Sequence, residues 1–361
     1  MKQYFDQSPL LIGDLMVKTP IVQGGMGVGI SLSGLASAVA NEGGLGVISA
    51  AALGMVRKGN ASVENNVAAV KEEIKKARER TTGVLGINIM VALSDFAETV
   101  KAAIEGKIDV IFSGAGLPLN LPSFLPENSK TKLVPIVSSG RAARVISRRW
   151  REKYHYIPDA FVLEGPLAGG HLGFCPEHIA DPAFCLENLL QDVLKVTQSI
   201  EKETGHHIPV IPAGGIFSGA DIKHFFQLGA SAVQMGTRFV ATEECDADKA
   251  FKEAYIHCTK EDIHIIQSPV GMPGRAIVNS FLREVKQGKK KPLCCSFHCI
   301  KTCKEQESPY CIFRALTSAS KGNLKNGFAF VGANGYKVKK IISVKELFET
   351  LSQEYQNSDV C

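Results

Sequence analysis

The residue of this chain best set to do chemistry is a histidine held in a loop of glycines, His171. Residues 160–174 read A-F-V-L-E-G-P-L-A-G-G-H-L-G-F. The stretch begins as an apolar run, Phe161-Val162-Leu163, bounded by turn residues, which is the pattern of a strand covered on both faces. It then breaks into Gly165, Gly169, Gly170 and Gly173 around His171. Glycines leave little bulk there, so a flat ligand can approach the backbone and meet an imidazole whose charge changes near neutrality. A second pair of segments points to an anion. Gly214-Gly215 and Gly236-Thr237 each follow an apolar run. A phosphate held by backbone N–H groups needs glycine because a side chain would keep it away from the amides.

The third group is sulfur. Cys294, Cys295, Cys299, Cys303 and Cys311 fall close together with His298 among them, half of the ten cysteines of the chain. Cys295, Cys299 and Cys303 stand four apart, and Cys311 follows eight later. Four thiolates suit tetrahedral zinc or an iron–sulfur cluster, since soft ligands select those metals. The spacing is none of the common ones, and free thiols on a packed helix are the other reading.

These residues need a scaffold, and the apolar runs supply one. Eight strand candidates occur: residues 20–26, 45–50, 84–90, 110–116, 133–139, 160–166, 208–215 and 232–239. Segments of helical periodicity separate them. Val63, Val67, Val70, Ile74 and Ala77 share one helical face, with Ser62 as N-cap and Gly83 just past the end. Ser218-Gly-Ala-Asp221 has the form of a capping box ahead of Ile222, Phe225 and Phe226, and Gly229 stops that helix. Eight strands alternating with helices predict an α/β fold, a (β/α)8 TIM barrel, with the active site where the strands end. A doubly wound open sheet would have fewer strands and a glycine fingerprint after the first strand, which residues 23–29 only loosely imitate. On the barrel reading, a phosphorylated flavin lies across the mouth, with Gln23 to Met26 against its rings, Asn88 at its polar edge and His171 facing the reacting centre. For Asn88 the alternative is a loop amide bonded to its own backbone, and for Met26 ordinary core filling.

The expected division is a barrel over residues 1–285 and a Cys-rich C-terminal extension over 286–361 that packs on it. A basic linker, Lys286 to Lys291, ends at Pro292. Val344 to Leu351 reads as an amphipathic helix that packs back on the barrel or on a second subunit, as in a homodimer, and Gln356 to Cys361 as a frayed end. With 361 residues, 45% hydrophobic and 21% charged, the composition is that of a soluble globular protein. A formal charge of +5 is too mild and scattered to argue for nucleic acid. The N-terminus lacks a cleavable apolar core and no run spans a bilayer, so the expectation is a cytoplasmic protein with reduced thiols.

The strings themselves have relatives. P-I-V-Q-G-G-M at 20–26, G-G-L-G-V-I at 43–48, G-I-N-I-M at 86–90, A-G-G-H-L-G at 168–173, P-A-G-G-I at 212–216 and Q-M-G-T-R-F at 234–239 resemble the nitronate monooxygenase family, formerly called 2-nitropropane dioxygenases. Close to that family stand the flavin-dependent enoyl-acyl-carrier-protein reductases of type II. The match runs in order from about Pro20 to Leu282. It implies an FMN-dependent oxidoreductase with His171 as the catalytic residue. It also implies FMN contacts from Gln23, Gly24, Gly25, Met26, Asn88, Gly169, Gly170, Gly214, Gly215, Gly236 and Thr237. A monooxygenase of this type oxidises an alkyl nitronate with oxygen to a carbonyl compound and nitrite, His171 orienting the anion or, when neutral, acting as base toward a nitroalkane. The reductase alternative passes hydride from NADH or NADPH through FMN to an enoyl thioester. An acidic carrier protein would then meet basic runs such as Arg148-Arg149-Trp150-Arg151 or Lys289-Lys290-Lys291, although such runs are commonly solvated faces. A third reading is a colourless phosphate-binding isomerase on the same barrel. The cysteines are outside what the family explains.

Overall fold

A computed structural model describes residues 4–59, 62–290, 295 and 297–358. Lys291 and Pro292 of the basic linker, Cys294, and the last three residues, 359–361, lie outside these.

All eight apolar runs are strands. They are β1 (Ile21–Gln23), β2 (Gly46–Ser49), β3 (Leu85–Met90), β4 (Val110–Gly114), β5 (Lys132–Val137), β6 (Phe161–Glu164), β7 (Val210–Ala213) and β8 (Val233–Met235). They form one parallel sheet in sequential order, with β8 paired to β1. A parallel bridge between Val22 and Leu45 joins β1 to β2 and closes the ring. The fold is a TIM barrel. Its strands alternate as the period of two requires. In β4, Val110 and Phe112 point into the barrel with Val22, Val47, Val134, Val162 and Ile211, while Ile111 packs outward against the helices.

The interior is plugged from below. Before the barrel begins, Leu10–Ile12 and Leu15–Val17 pair as an antiparallel hairpin, and Leu10, Ile12 and Val17 join the inner core, all within 1% of complete burial. The outer helices form where the patterning put them, although the helix begun at Ser62 stops at Arg78, short of Gly83. Ser62 caps the helix Val63–Arg78, its side chain accepting from Asn65 N. Ser218 and Asp221 make the reciprocal capping box of the helix Gly219–Gln227, which buries Ile222, Phe225 and Phe226. Each such cap is worth about 1 kcal/mol.

The C-terminal part does more than pack on the barrel. The helix Val344–Asn357 lies against the helices Gly219–Gln227 and Ser33–Asn41, burying Leu347, Phe348 and Leu351. A Cβ at Gly219 would come within 2.2 Å of Leu351 O and Tyr355 N. This helix therefore occupies the eighth helical place of the barrel, and a boundary near residue 285 separates a barrel from one of its own helices. Residues 241–343 are an excursion between β8 and that helix. The excursion includes the antiparallel pair Ile263–Gln267 and Pro273–Ile277, whose second strand also pairs with Gly170–His171. No helix among the described residues is long and apolar enough to cross a membrane.

Candidate active site

The carboxyl ends of the strands open into a cavity of about 290 Å³. Gly24, Gly25, Met26, Asn88, Gly169, Gly170, His171, Gly214, Gly215, Gly236 and Thr237 all line it. Gln23 does not. Its side chain turns back into the wall, where Oε1 accepts from Val47 N at 3.0 Å and Nε2 donates to Gly24 O at 2.5 Å and Val47 O at 3.3 Å. Fully buried, Gln23 ties β1 to β2 and has no reach into the cavity, so the structure corrects its expected place against the ring system.

Backbone, rather than side chain, forms much of the wall. Gly214 and Gly215 have φ of +96° and +89°, the left-handed region that L side chains rarely adopt. A Cβ at Gly169 would lie 2.5 Å from the Val331 carbonyl carbon and 2.6 Å from Gly332 N, so the histidine loop and residues 331–332 pack backbone against backbone. Asn334 Nδ2 donates to Gly215 O at 2.7 Å, and Thr237 Oγ1 accepts from Gly332 N at 3.1 Å. Residues 332–334 thus clip together the two glycine exits that suit a phosphate.

His171 is positioned by residues distant in sequence. Its Nε2 stands 2.7 Å from Ser268 Oγ, and Phe330 meets its ring edge-on at 5.0 Å between centroids. Ser268 is buried in the turn between Ile263–Gln267 and Pro273–Ile277, where its N–H donates to Met272 O at 3.0 Å. Arg275 in the next strand sends Nη1 to Pro166 O at 2.7 Å and Ala168 O at 2.6 Å, bracing the loop that carries the histidine. Nothing local in the sequence singles out Ser268, Phe330 or Arg275; the strand pairing Gly274↔His171 across the excursion brings them in.

Electrostatically the site is a desolvated pocket. Burial pulls the His171 imidazole down to about 4, so it is neutral at pH 7. Burial also pushes the Glu164 carboxyl, at the end of β6 and in the cavity wall, up to about 7. No Lys or Arg among the described residues lines the cavity. A neutral imidazole against a water-poor wall can take a proton from carbon when the resulting ions stay paired.

The cysteines lie beside this cavity. Among the described residues no group of three or more His, Cys, Asp or Glu side chains converges to hold a metal ion. Cys295, Cys299, Cys303 and Cys311 are free thiols, each partly buried. Burial, with Cys311 and Cys295 nearby, pushes the Cys299 thiol up to about 12.

The sequence model of nitronate monooxygenase matches residues 8–108 and 96–354, nearly the whole chain. The chain belongs to the nitronate monooxygenase family. It is 26% identical over 314 residues to a probable nitronate monooxygenase of Staphylococcus haemolyticus, covering 77% of this chain and 80% of that one. A (3aS,4S,5R,7aS)-5-hydroxy-7a-methyl-1-oxo-octahydro-1H-indene-4-carboxyl-CoA dehydrogenase of Mycobacterium tuberculosis is 25% identical over 274 residues, covering 76% and 67%. Among solved structures, FabK from Thermotoga maritima superposes with a TM-score of 0.71 at 29% identity, covering 94% of this chain and 93% of that one. Like other members, this protein is an oxidoreductase of the flavin-using kind.

Proposed function

We propose that the protein binds FMN across the barrel mouth and oxidises nitro compounds through their nitronates, with oxygen as final acceptor. What supports this most is the neutral His171 in a cavity whose described wall carries no Lys or Arg. Such a wall suits a neutral nitroalkane better than a preformed anion. The imidazole takes the proton on the carbon bearing the nitro group, the C–H bond breaks, and its electron pair delocalises onto the nitro oxygens. The imidazolium then faces the nitronate as its counter-ion, the one cation the pocket can generate in place. FMN, when bound, supplies the electron acceptance and oxygen chemistry that no side chain can. Gly24, Gly25, Met26, Asn88, Gly169 and Gly170 are the residues for its rings, and Gly214, Gly215, Gly236 and Thr237 for its phosphate. Ser268 holds the imidazole in register.

A second reading, reduction of an enoyl thioester, is favoured by the relative named as a carboxyl-CoA dehydrogenase. An acidic carrier protein is a weaker part of it. Arg148 pairs with Glu152 at 2.8 Å and Arg151 with Glu203 at 2.9 Å. Both sit late in the helix Gly140–Tyr154, which runs back from the mouth toward the opposite end of the barrel.

The experiment is spectral titration of the purified protein. Flavin absorbance that bleaches anaerobically with a nitroalkane, and recovers on admitting oxygen with release of nitrite, is the expected result. Bleaching by NADH or NADPH alone, followed by recovery with an enoyl thioester, would transfer the assignment to the reductase. A protein that binds no flavin would overturn both.

A further inference from the structure

We propose that Cys295, Cys299, Cys303 and Cys311 are the ligands of an iron–sulfur cluster built into the lid of the barrel cavity. The inference is separate from the choice of nitro compound or thioester.

The four thiols are gathered. Cys299 lies within electrostatic reach of Cys295, Cys303 and Cys311, and Cys303 within reach of Cys295 and Cys311. They do so without being a helical face: the segment from 297 to 310 is irregular, and the next helix, Ile312–Ser320, begins only after Cys311 as its N-cap.

The arch is fixed to the barrel on both sides of the thiols. Leu93 and Ile300 form a bridge, Ser94 N donates to Cys299 O at 3.1 Å, and Lys301 N donates to Ala92 O at 2.9 Å. Thr302 Oγ1 donates to Val270 O at 3.3 Å, beside the turn that holds Ser268. His298 is held at φ +48°, an uncommon place for a residue with a side chain, with its carbonyl accepting from Ser94 Oγ at 2.5 Å. The strained turn aims the His298 N–H at Cys295 Sγ, 3.3 Å away. Amide donation to cysteinyl sulfur is one of the protein's means of setting a cluster's potential.

An all-thiolate set selects a soft metal, zinc or iron with sulfide. A zinc ion needs every sulfur at about 2.3 Å from one point. No such convergence exists among the described residues. A core of iron and sulfide fills the middle of a wider set. The neighbours of the thiols are apolar: Ile300, Tyr310 and Ile312 are buried, and Ile300, Ile312, Phe313 and Leu316 line the flavin cavity itself. A cluster here sits in the cavity wall.

The test starts from full-length protein purified without oxygen and supplied with ferrous iron and sulfide, then desalted. Iron, acid-labile sulfide, zinc and flavin are measured on the same sample, and the dithionite-reduced protein is examined by electron paramagnetic resonance. Iron and sulfide retained in equal amounts, with a cluster signal, are expected. Each of Cys299→Ser, Cys303→Ser and Cys311→Ser should lose most of both and keep its flavin, whereas Cys175→Ser, an exposed thiol elsewhere, should match the wild type. Wild-type protein that holds flavin but no sulfide, that takes zinc instead, or that keeps the same iron in all three variants overturns the proposal. Cluster without flavin would sustain it and overturn the FMN reading.

Discussion

Two walls of one cavity are built on opposite terms. The histidine wall rises from β6, and its loop is locked backbone to backbone, with Gly169 against Val331 and Arg275 across two carbonyls. The cysteine arch has no such strand beneath it; one bridge and a few hydrogen bonds fasten it to the rim. The first wall is framed by strand pairing and close backbone contact. The second holds its cysteines in irregular chain, partly buried and free. On the two proposals above, the base belongs to the half framed by strand pairing and the cluster to the half fastened by fewer bonds.

The largest effect should come from the framed half. His171→Ala removes the imidazole from a braced loop in the cavity wall, so turnover with a nitroalkane should fall about 10²–10⁴-fold. Flavin content should stay the same, because the glycines of the cradle are untouched. Turnover with a preformed nitronate should fall far less, and an equal loss with both substrates would remove the proton-transfer role.

Gly169→Ala tests the framing itself. The new Cβ would meet Val331 and Gly332 backbone at 2.5–2.6 Å, and neither is the far end of a flexible side chain. A cost of about 1–3 kcal/mol in urea unfolding is expected, together with reduced flavin content. The corresponding change at Cys303, to Ser, should cost well under that in metal-free protein, and a larger loss there than at Gly169 would reverse the contrast between the walls.

Much of this was legible in the sequence. The eight strands were, because an apolar run of about five residues bounded by glycine has few other uses, and so was the cavity wall of glycines, Asn88 and His171. Gln23 was misread because a polar residue at a strand end looks the same whether it faces the mouth or the neighbouring strand, and only the register shows Val47 waiting for it. Ser268 and Phe330 were invisible for another reason. They reach His171 through pairings 97 and 159 positions away, and neither carries a local pattern. The excursion over 241–343 likewise hid the barrel's last helix, which read as amphipathic without showing what it would cover.

Ser268→Ala sharpens the assignment of the support around the histidine. Losing a hydrogen bond of about 1 kcal/mol that orients the imidazole predicts roughly a fivefold fall in kcat with little change in KM, restored by Ser268→Thr. A fall in KM alone, or no rescue, would make Ser268 a part of the turn and no more.

The smallest effect concerns pH, and the two titratable groups of the wall oppose each other. The folded pKa of His171, about 4, lies below the ordinary value of 6.5, so its contribution to stability is complete above about 6.5 and is lost as pH falls through 4. Glu164 runs the other way: its folded value of about 7 lies above 4.5, so its contribution is complete below about 4.5 and fades as pH rises through 7. Glu164→Gln, a shape mimic of the protonated acid, should therefore remove the part of the Tm decline that falls between about pH 4.5 and 7, and leave Tm below about 4.5 as it was. Its effect on kcat/KM should stay within about threefold, since Glu164 has no partner role in the proton transfer assigned to His171. If the pH dependence between 4.5 and 7 were the same in the Gln variant, the Glu164 carboxyl would titrate in the folded protein as it does in the unfolded chain, and the cavity would hold a negative charge that repels the nitronate His171 is placed to make.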